Sequence, residues 1–178
     1  PSWDPNLTLR TNGLEIIKTI AELKNVDIFI RLHPCSLVDK ENFEFNFYTG
    51  GINWREEISN LKIPNLSFHQ EESTLEYLNS INLLITDLSS ISYEAFLSNK
   101  PVIFYDVPKY WQTRKDVYET YRYAENVENY KQISDNCNLI GGREAGLVAN
   151  SLKELKIHIE KIYKKQAKIR MFPRIFGF

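Results

Sequence analysis

Polar and apolar positions follow two different periods along this chain, and the switches between them mark its elements. Leu14–Leu23 (LEIIKTIAEL) is apolar at 14, 16, 17, 20, 21 and 23, the spacing of one helix face. Asn12 and Gly13 before it predict a turn and a cap. Val26–Leu32 (VDIFIRL) is a β-branched run that predicts a strand, ended by His33-Pro34 because proline has no N–H for a ladder. Leu37–Phe47 is ambiguous, with room for a short helix, and Gly50-Gly51 marks a loop. Trp54–Leu61 predicts a helix, Asn65–His69 (NLSFH) a short strand, and Glu72–Asn79 a helix with Ser73 as its cap.

The second half repeats the alternation. Leu83–Thr86 (LLIT) predicts a strand, Ser89–Ser98 a helix opening on polar caps, and Val102–Tyr105 (VIFY) a buried strand after a turn at Lys100-Pro101. Tyr110–Tyr130 is aromatic and charged without a clear period. Gly146–Ala149 predicts a short strand, after which Asn150-Ser151 cap a long amphipathic helix, Leu152–Lys165. Its closing lysines suit the negative end of the helix dipole. Strands that are continuous apolar runs, alternating with helices, predict a parallel sheet covered on both faces. The expected class is α/β, a doubly wound parallel sheet in one domain spanning residues 1–178.

Composition narrows the partners. The 178 residues carry 22 Lys plus Arg against 23 Asp plus Glu, a net charge of -1, so no general basic field predicts a nucleic-acid partner. Cys35 and Cys137 are the two cysteines, too few for a disulfide framework, and a reduced compartment such as the cytoplasm is expected. The longest uncharged apolar run, Ile81–Thr86, is far below the ~20 residues of a membrane span. The opening at Pro1 and the apolar, basic ending Arg170–Phe178 predict a piece cut from a longer protein.

Ligands of open parallel sheets bind beyond the carboxyl ends of the strands. Four segments should meet there: His33–Ser36, His69-Gln70, Thr86–Ser90, and Tyr105 with Asp106 and Val107. Thr86–Glu94 (TDLSSISYE) leads from a strand through hydroxyls and one acid into a helix. Free N–H groups and the dipole at such a point suit phosphate, with Ser89 and Ser90 adding hydroxyl donors. Simple capping is the competing reading of the same residues. Glu94, one turn beyond Ser90, is placed to accept hydrogen bonds from ribose hydroxyls. His33 is a candidate phosphate ligand and His69 a second; His158 is expected to be packed or solvated. Cys35 beside His33 is expected to be an inert thiol. No metal-ligand spacing, glycine-rich dinucleotide loop or Walker loop is present, so neither a metal nor a cofactor is expected.

Arg31-Leu32-His33-Pro34, Ile85–Glu94 (ITDLSSISYE) and Lys100–Tyr105 (KPVIFY) together resemble the CDP-glycerol glycerophosphotransferase family, whose members polymerise teichoic acids and related capsule polymers. Pro1-Ser2-Trp3-Asp4 is similar to the family's Pro-Thr-Trp-Arg. The resemblance implies a GT-B architecture of two Rossmann-like halves, with this chain as the C-terminal, nucleotide-binding half. It further implies that His33, Ser89, Ser90 and Thr86 contact the donor diphosphate. Glu94, where the family usually has Asp, would take the ribose; Asp87 shapes the turn, and His69 and Tyr105 are further candidates. The family's Arg-Gly-x-Tyr element has no clear counterpart in Gln112–Tyr121 (QTRKDVYETY), which leaves the donor open.

Three functions follow as alternatives. The first is attack of an acceptor hydroxyl, on a polyol-phosphate or polysaccharide, at the β-phosphorus of CDP-glycerol with release of CMP. The second is a sugar-transferring GT-B enzyme of polysaccharide biosynthesis whose nucleotide-activated donor is a UDP- or GDP-sugar, or a related capsule enzyme, and the third a noncatalytic nucleotide-binding or scaffolding module. The resemblance puts the catalytic base in a missing N-terminal half, so the chain alone is expected to bind without transfer and to expose an apolar face. The full-length protein would be cytoplasmic and peripheral on the inner face of the cell membrane.

Overall fold

The computed structural model describes residues 7–106, 143 and 145–171, with side chains described as far as residue 165. The chain runs α1 (Thr8–Ala21), β1 (Ile28–Ile30), a 3-10 turn (Pro34–Leu37), α2 (Phe45–Thr49), α3 (Trp54–Ser59), β2 (Leu66–Phe68), α4 (Thr74–Ser80) and β3 (Leu84–Thr86). It continues through α5 (Ile91–Leu97), β4 (Val102–Tyr105), β5 (Leu147–Ala149) and α6 (Leu152–Met171). Every strand pairing is parallel: β1 with β2, β3 with β4, and β4 with β5. The expected α/β class with a Rossmann-like parallel arrangement is what the chain adopts. The sheet is divided into two ladders, β1-β2 and β3-β4-β5.

Strand β4 shows why helices cover both faces. Alternate side chains of a strand point to opposite sides. Ile103 and Tyr105 pack with Ile16 and Ile20 of α1 and Leu155 and Ile159 of α6. Val102 and Phe104 pack with Tyr77 and Leu78 of α4 and Ala95 of α5. A third cluster joins Leu9 and Ile17 of α1 to Leu32, Trp54 and Ile58. Burial of this kind contributes about 25 cal/mol per Å² of apolar surface and dominates the favourable side of folding. Gly146 is required where β5 enters beside β4, because a Cβ there would sit 2.6 Å from the Phe104 ring. Phe43, Phe47 and Leu97 remain exposed.

Local rules explain most boundaries. Ser73 caps α4 in a capping box with Glu76, so α4 starts at Thr74, two residues after the helix expected from Glu72. Asn53 caps α3 through Glu56 N–H. Asn99, at φ 52°, turns the chain out of α5. The uncertain Leu37–Phe47 segment resolves into the end of the 3-10 turn and the start of α2.

Helix α1 departs from expectation. It begins at Thr8, six residues before the apolar period does, and runs through Gly13, which the sequence marked as a turn. Gly13 is buried within the helix, and a Cβ on it would press to 3.2 Å from Leu9 Cδ1. Leu7 at the N-cap offers no side-chain acceptor. The cap comes instead from Asp87 Oδ2, which accepts from Thr8 N–H at 3.2 Å. Tyr110–Tyr130 and Gln112–Tyr121 lie outside the described residues.

Candidate functional site

Between the two ladders lies a cleft of about 510 Å³. Strands β1 and β3 form its two walls, with Ile16, Ile17 and Ile20 of α1 along it. Polar groups collect at the carboxyl ends of these strands, where His33, Thr86, Ser89 and Thr8 all line it. Three of the sequence-derived candidates are therefore together, and Thr8 joins them without having been marked by any motif.

The backbone before His33 is held by an amide side chain. His69 N–H donates to the Ile30 carbonyl at 2.8 Å, continuing the β1-β2 pairing. Gln70 then does with its side chain what a strand residue does with its backbone. Its Oε1 accepts from Leu32 N–H at 3.0 Å and its Nε2 donates to the Leu32 carbonyl at 2.9 Å. Arg31 is turned aside, donating to the carbonyls of His69 and Glu72 at 3.2 and 2.8 Å and lying over the Tyr77 ring. His33 Nδ1 accepts from Cys35 N–H at 3.2 Å, which assigns the proton of the neutral ring to Nε2. Partial burial holds the imidazole below its ordinary pKa. At neutral pH His33 is a hydrogen-bond donor rather than a cation.

At the end of β3, Thr86 is 3% exposed and its Oγ1 has no hydrogen-bond partner. A buried hydroxyl without a partner costs about 1–3 kcal/mol. Asp87 is fully buried, with Oδ1 accepting from Leu88 N–H at 2.8 Å and Oδ2 from Thr8 N–H. Ser90 is the N-cap residue of α5 but has helical backbone angles and no side-chain capping bond. The Ser89 carbonyl accepts from both the N–H and the hydroxyl of Ser92. Glu94 is exposed in the first turn of α5 and is not part of the cleft lining.

The other candidates sit elsewhere. Both His69 ring nitrogens are engaged, Nδ1 with Glu72 Oε1 at 2.7 Å and Nε2 with Ser67 Oγ at 3.0 Å. The ring stacks on Phe29 at 4.1 Å. Tyr105 is buried in the α1–α6 core, and that burial raises its phenol pKa. His158 bonds the Val148 carbonyl at 3.0 Å. Beyond β4, the fully buried side chain of Arg143 donates to Asp106 Oδ1 at 3.0 Å and lies over Phe104, with Nε and Nη1 unpartnered. Gln70 was marked only by its place after β2, whereas Arg143 and Thr8 carry no motif and nothing in the sequence alone singles them out.

Residues 20–136 match the family described as CDP-Glycerol:Poly(glycerophosphate) glycerophosphotransferase, and the chain belongs to that family. It is also similar to the Minor teichoic acid biosynthesis protein GgaB of Bacillus subtilis (strain 168), with 26% identity over 146 residues. That alignment covers 76% of this chain and 16% of the relative's length. No solved structure matches the chain. No helix among the described residues is long and apolar enough to cross a membrane.

Proposed function

We propose that the chain is the donor-nucleotide-binding domain of a glycerophosphotransferase-like enzyme, one Rossmann-like half of a GT-B architecture. The reaction is transfer of glycerol phosphate from CDP-glycerol to a hydroxyl of a cell-surface polymer. The observation that carries the reading is the buried, unpartnered hydroxyl of Thr86, a residue that lines one cleft with His33 and Ser89. A donor diphosphate is acceptor-only and supplies the partner that the Thr86 hydroxyl lacks.

In this reading the hydroxyls of Thr86 and Ser89, with His33 beside them in the cleft lining, contact diphosphate oxygens, while Ser90 and Glu94, exposed outside that lining, are left to the part of the donor that projects from the cleft. The acceptor oxygen attacks the β-phosphorus, the bond from that phosphorus to the bridging oxygen breaks, and CMP leaves. The acceptor proton passes to a base on the other half of the GT-B architecture. Donors fixed before reaction stabilise charge that develops on the phosphoryl oxygens. The enzyme works in the cytoplasm, peripheral on the inner membrane face where polymer precursors are elongated.

Calorimetric titration with CDP, UDP and GDP tests the proposal. CDP is expected to bind most tightly, and Ser89→Ala with Ser90→Ala to weaken it at least about tenfold, since a hydrogen bond to a charged oxygen is worth about 1.5–3 kcal/mol. Tighter binding of UDP or GDP moves the assignment to a nucleotide-sugar transferase. No binding of any of the three overturns it.

A further inference from the structure

Thr8 lies outside the segment that matches the family, residues 20–136, yet it occupies the cleft. Its side chain is 5% exposed and its Oγ1 has no hydrogen-bond partner. Other helical threonines of this chain show how such a hydroxyl is ordinarily satisfied. Thr11 Oγ1 donates to the Leu7 carbonyl at 3.1 Å and Thr49 Oγ1 to the Phe45 carbonyl at 2.6 Å, each four residues back. Thr8 is the first residue of α1 and has no helical carbonyl behind it. The hydroxyls of Thr8 and Thr86 are thus both buried and unpartnered, and both residues line one cleft.

Thr8 is the one of the two whose own N–H is bonded by the Asp87 carboxylate. Thr8 N–H is already taken by Asp87 Oδ2 at 3.2 Å, so an anion drawn to the start of α1 would meet a carboxylate already there. A phosphate oxygen is disfavoured at Thr8. A neutral hydroxyl is not, because it accepts from Thr8 Oγ1–H or donates to its lone pairs. We propose that Thr8 is a specificity-determining contact for a hydroxyl of the polyol unit being transferred, beside a diphosphate held by Thr86, Ser89 and His33. This rests on the reading that the donor occupies the cleft.

The test compares CDP-glycerol with CDP by calorimetry on the wild-type chain, Thr8→Val, and Thr8→Ser. Valine keeps the shape of threonine and leaves the N–H to Asp87 in place, so unliganded Thr8→Val should melt no lower than wild type. CDP-glycerol affinity is expected to fall about fivefold in Thr8→Val, as for one neutral hydrogen bond. CDP affinity should be unchanged, and Thr8→Ser should behave as wild type. Should Thr8→Val not fold, Thr8→Ala removes the same hydroxyl and carries the same expectation. Equal weakening of both ligands makes Thr8 a phosphate contact and overturns the proposal, as does no change in either. If the wild type binds neither nucleotide, the donor reading fails by itself. Glycerol 3-phosphate then decides: binding that Thr8→Val abolishes upholds the polyol contact, and absence of binding overturns it.

Discussion

The carboxylate of Asp87 accepts the first N–H of α1 from Thr8 at 3.2 Å, across 79 residues of sequence. One buried acid, following the last residue of β3, thereby fixes where a helix from the start of the chain begins. Asp87→Ala strips the cap from α1 and the acceptor from Leu88 N–H. Loss of about 2–3 kcal/mol in urea unfolding is expected. A loss within about 0.5 kcal/mol would mean that water or another group replaces the carboxylate.

Gln70 predicts a separable effect. Gln70→Ala leaves both backbone groups of Leu32 without their amide partner. Stability should fall by about 1–2 kcal/mol. CDP affinity should fall as well, although Gln70 itself does not line the cleft, because the turn bearing His33 loses its anchor. Glutamate should not rescue, since it supplies no donor for the Leu32 carbonyl.

Acid and alkali act through different side chains. The pKa of His33 is lowered in the folded chain by burial, so the unfolded chain binds its proton more readily. Its stabilising contribution is therefore complete above the ordinary imidazole value of 6.5 and is lost as pH falls through the folded value. Tyr77 is shifted the other way, up to about 12 from 10.0, chiefly by burial. Its contribution is complete below pH 10 and is lost as pH rises toward 12. Thermal melts from pH 4 to 11 check both. His33→Gln should flatten the acid limb, and Tyr77→Phe should flatten the alkaline one.

The pair of Arg143 and Asp106 joins the far end of β4 to the approach to β5. Arg143 is 2% exposed, and removing its partner leaves a charge in a dry site. Asp106→Ala is expected to cost about 3–5 kcal/mol. The double change of Arg143→Met with Asp106→Ala should recover much of that, because no charge remains to be desolvated. A double variant as unstable as the single would show that the guanidinium is held by other groups.

Turnover tests the proposed role of the cleft in donor binding. With CDP-glycerol and a polyol-phosphate acceptor, the chain alone is expected to release no CMP above the uncatalysed background. A hydroxyl nucleophile needs a base within hydrogen-bond reach, and the reading of the cleft uses His33 on the donor. Measurable CMP release, lost in His33→Ala, would move the base onto this chain.

Much of the architecture was legible because burial writes itself into the strands. Val102–Tyr105 is buried at every position, and a run of four large apolar residues admits little else. The start of α1 was not legible, because its cap comes from Asp87 rather than from a neighbour, and Gly13 reads locally as a breaker. The meeting of His33, Thr86 and Ser89 followed from one rule about strand ends. Which hydroxyls stay unpartnered did not, since threonine and serine look alike in sequence whether they bond backward, as Thr11 does, or face a cleft, as Thr8 does.

The Gln70 clasp on Leu32 carries an evolutionary consequence. Peptide groups in a ladder are the same whatever the residue, so substitution cannot easily remove them. The register of the His33 turn depends instead on a side chain that a single base change can replace. A substitution at position 70 can therefore reset the reach of His33 while leaving the sheet beneath untouched.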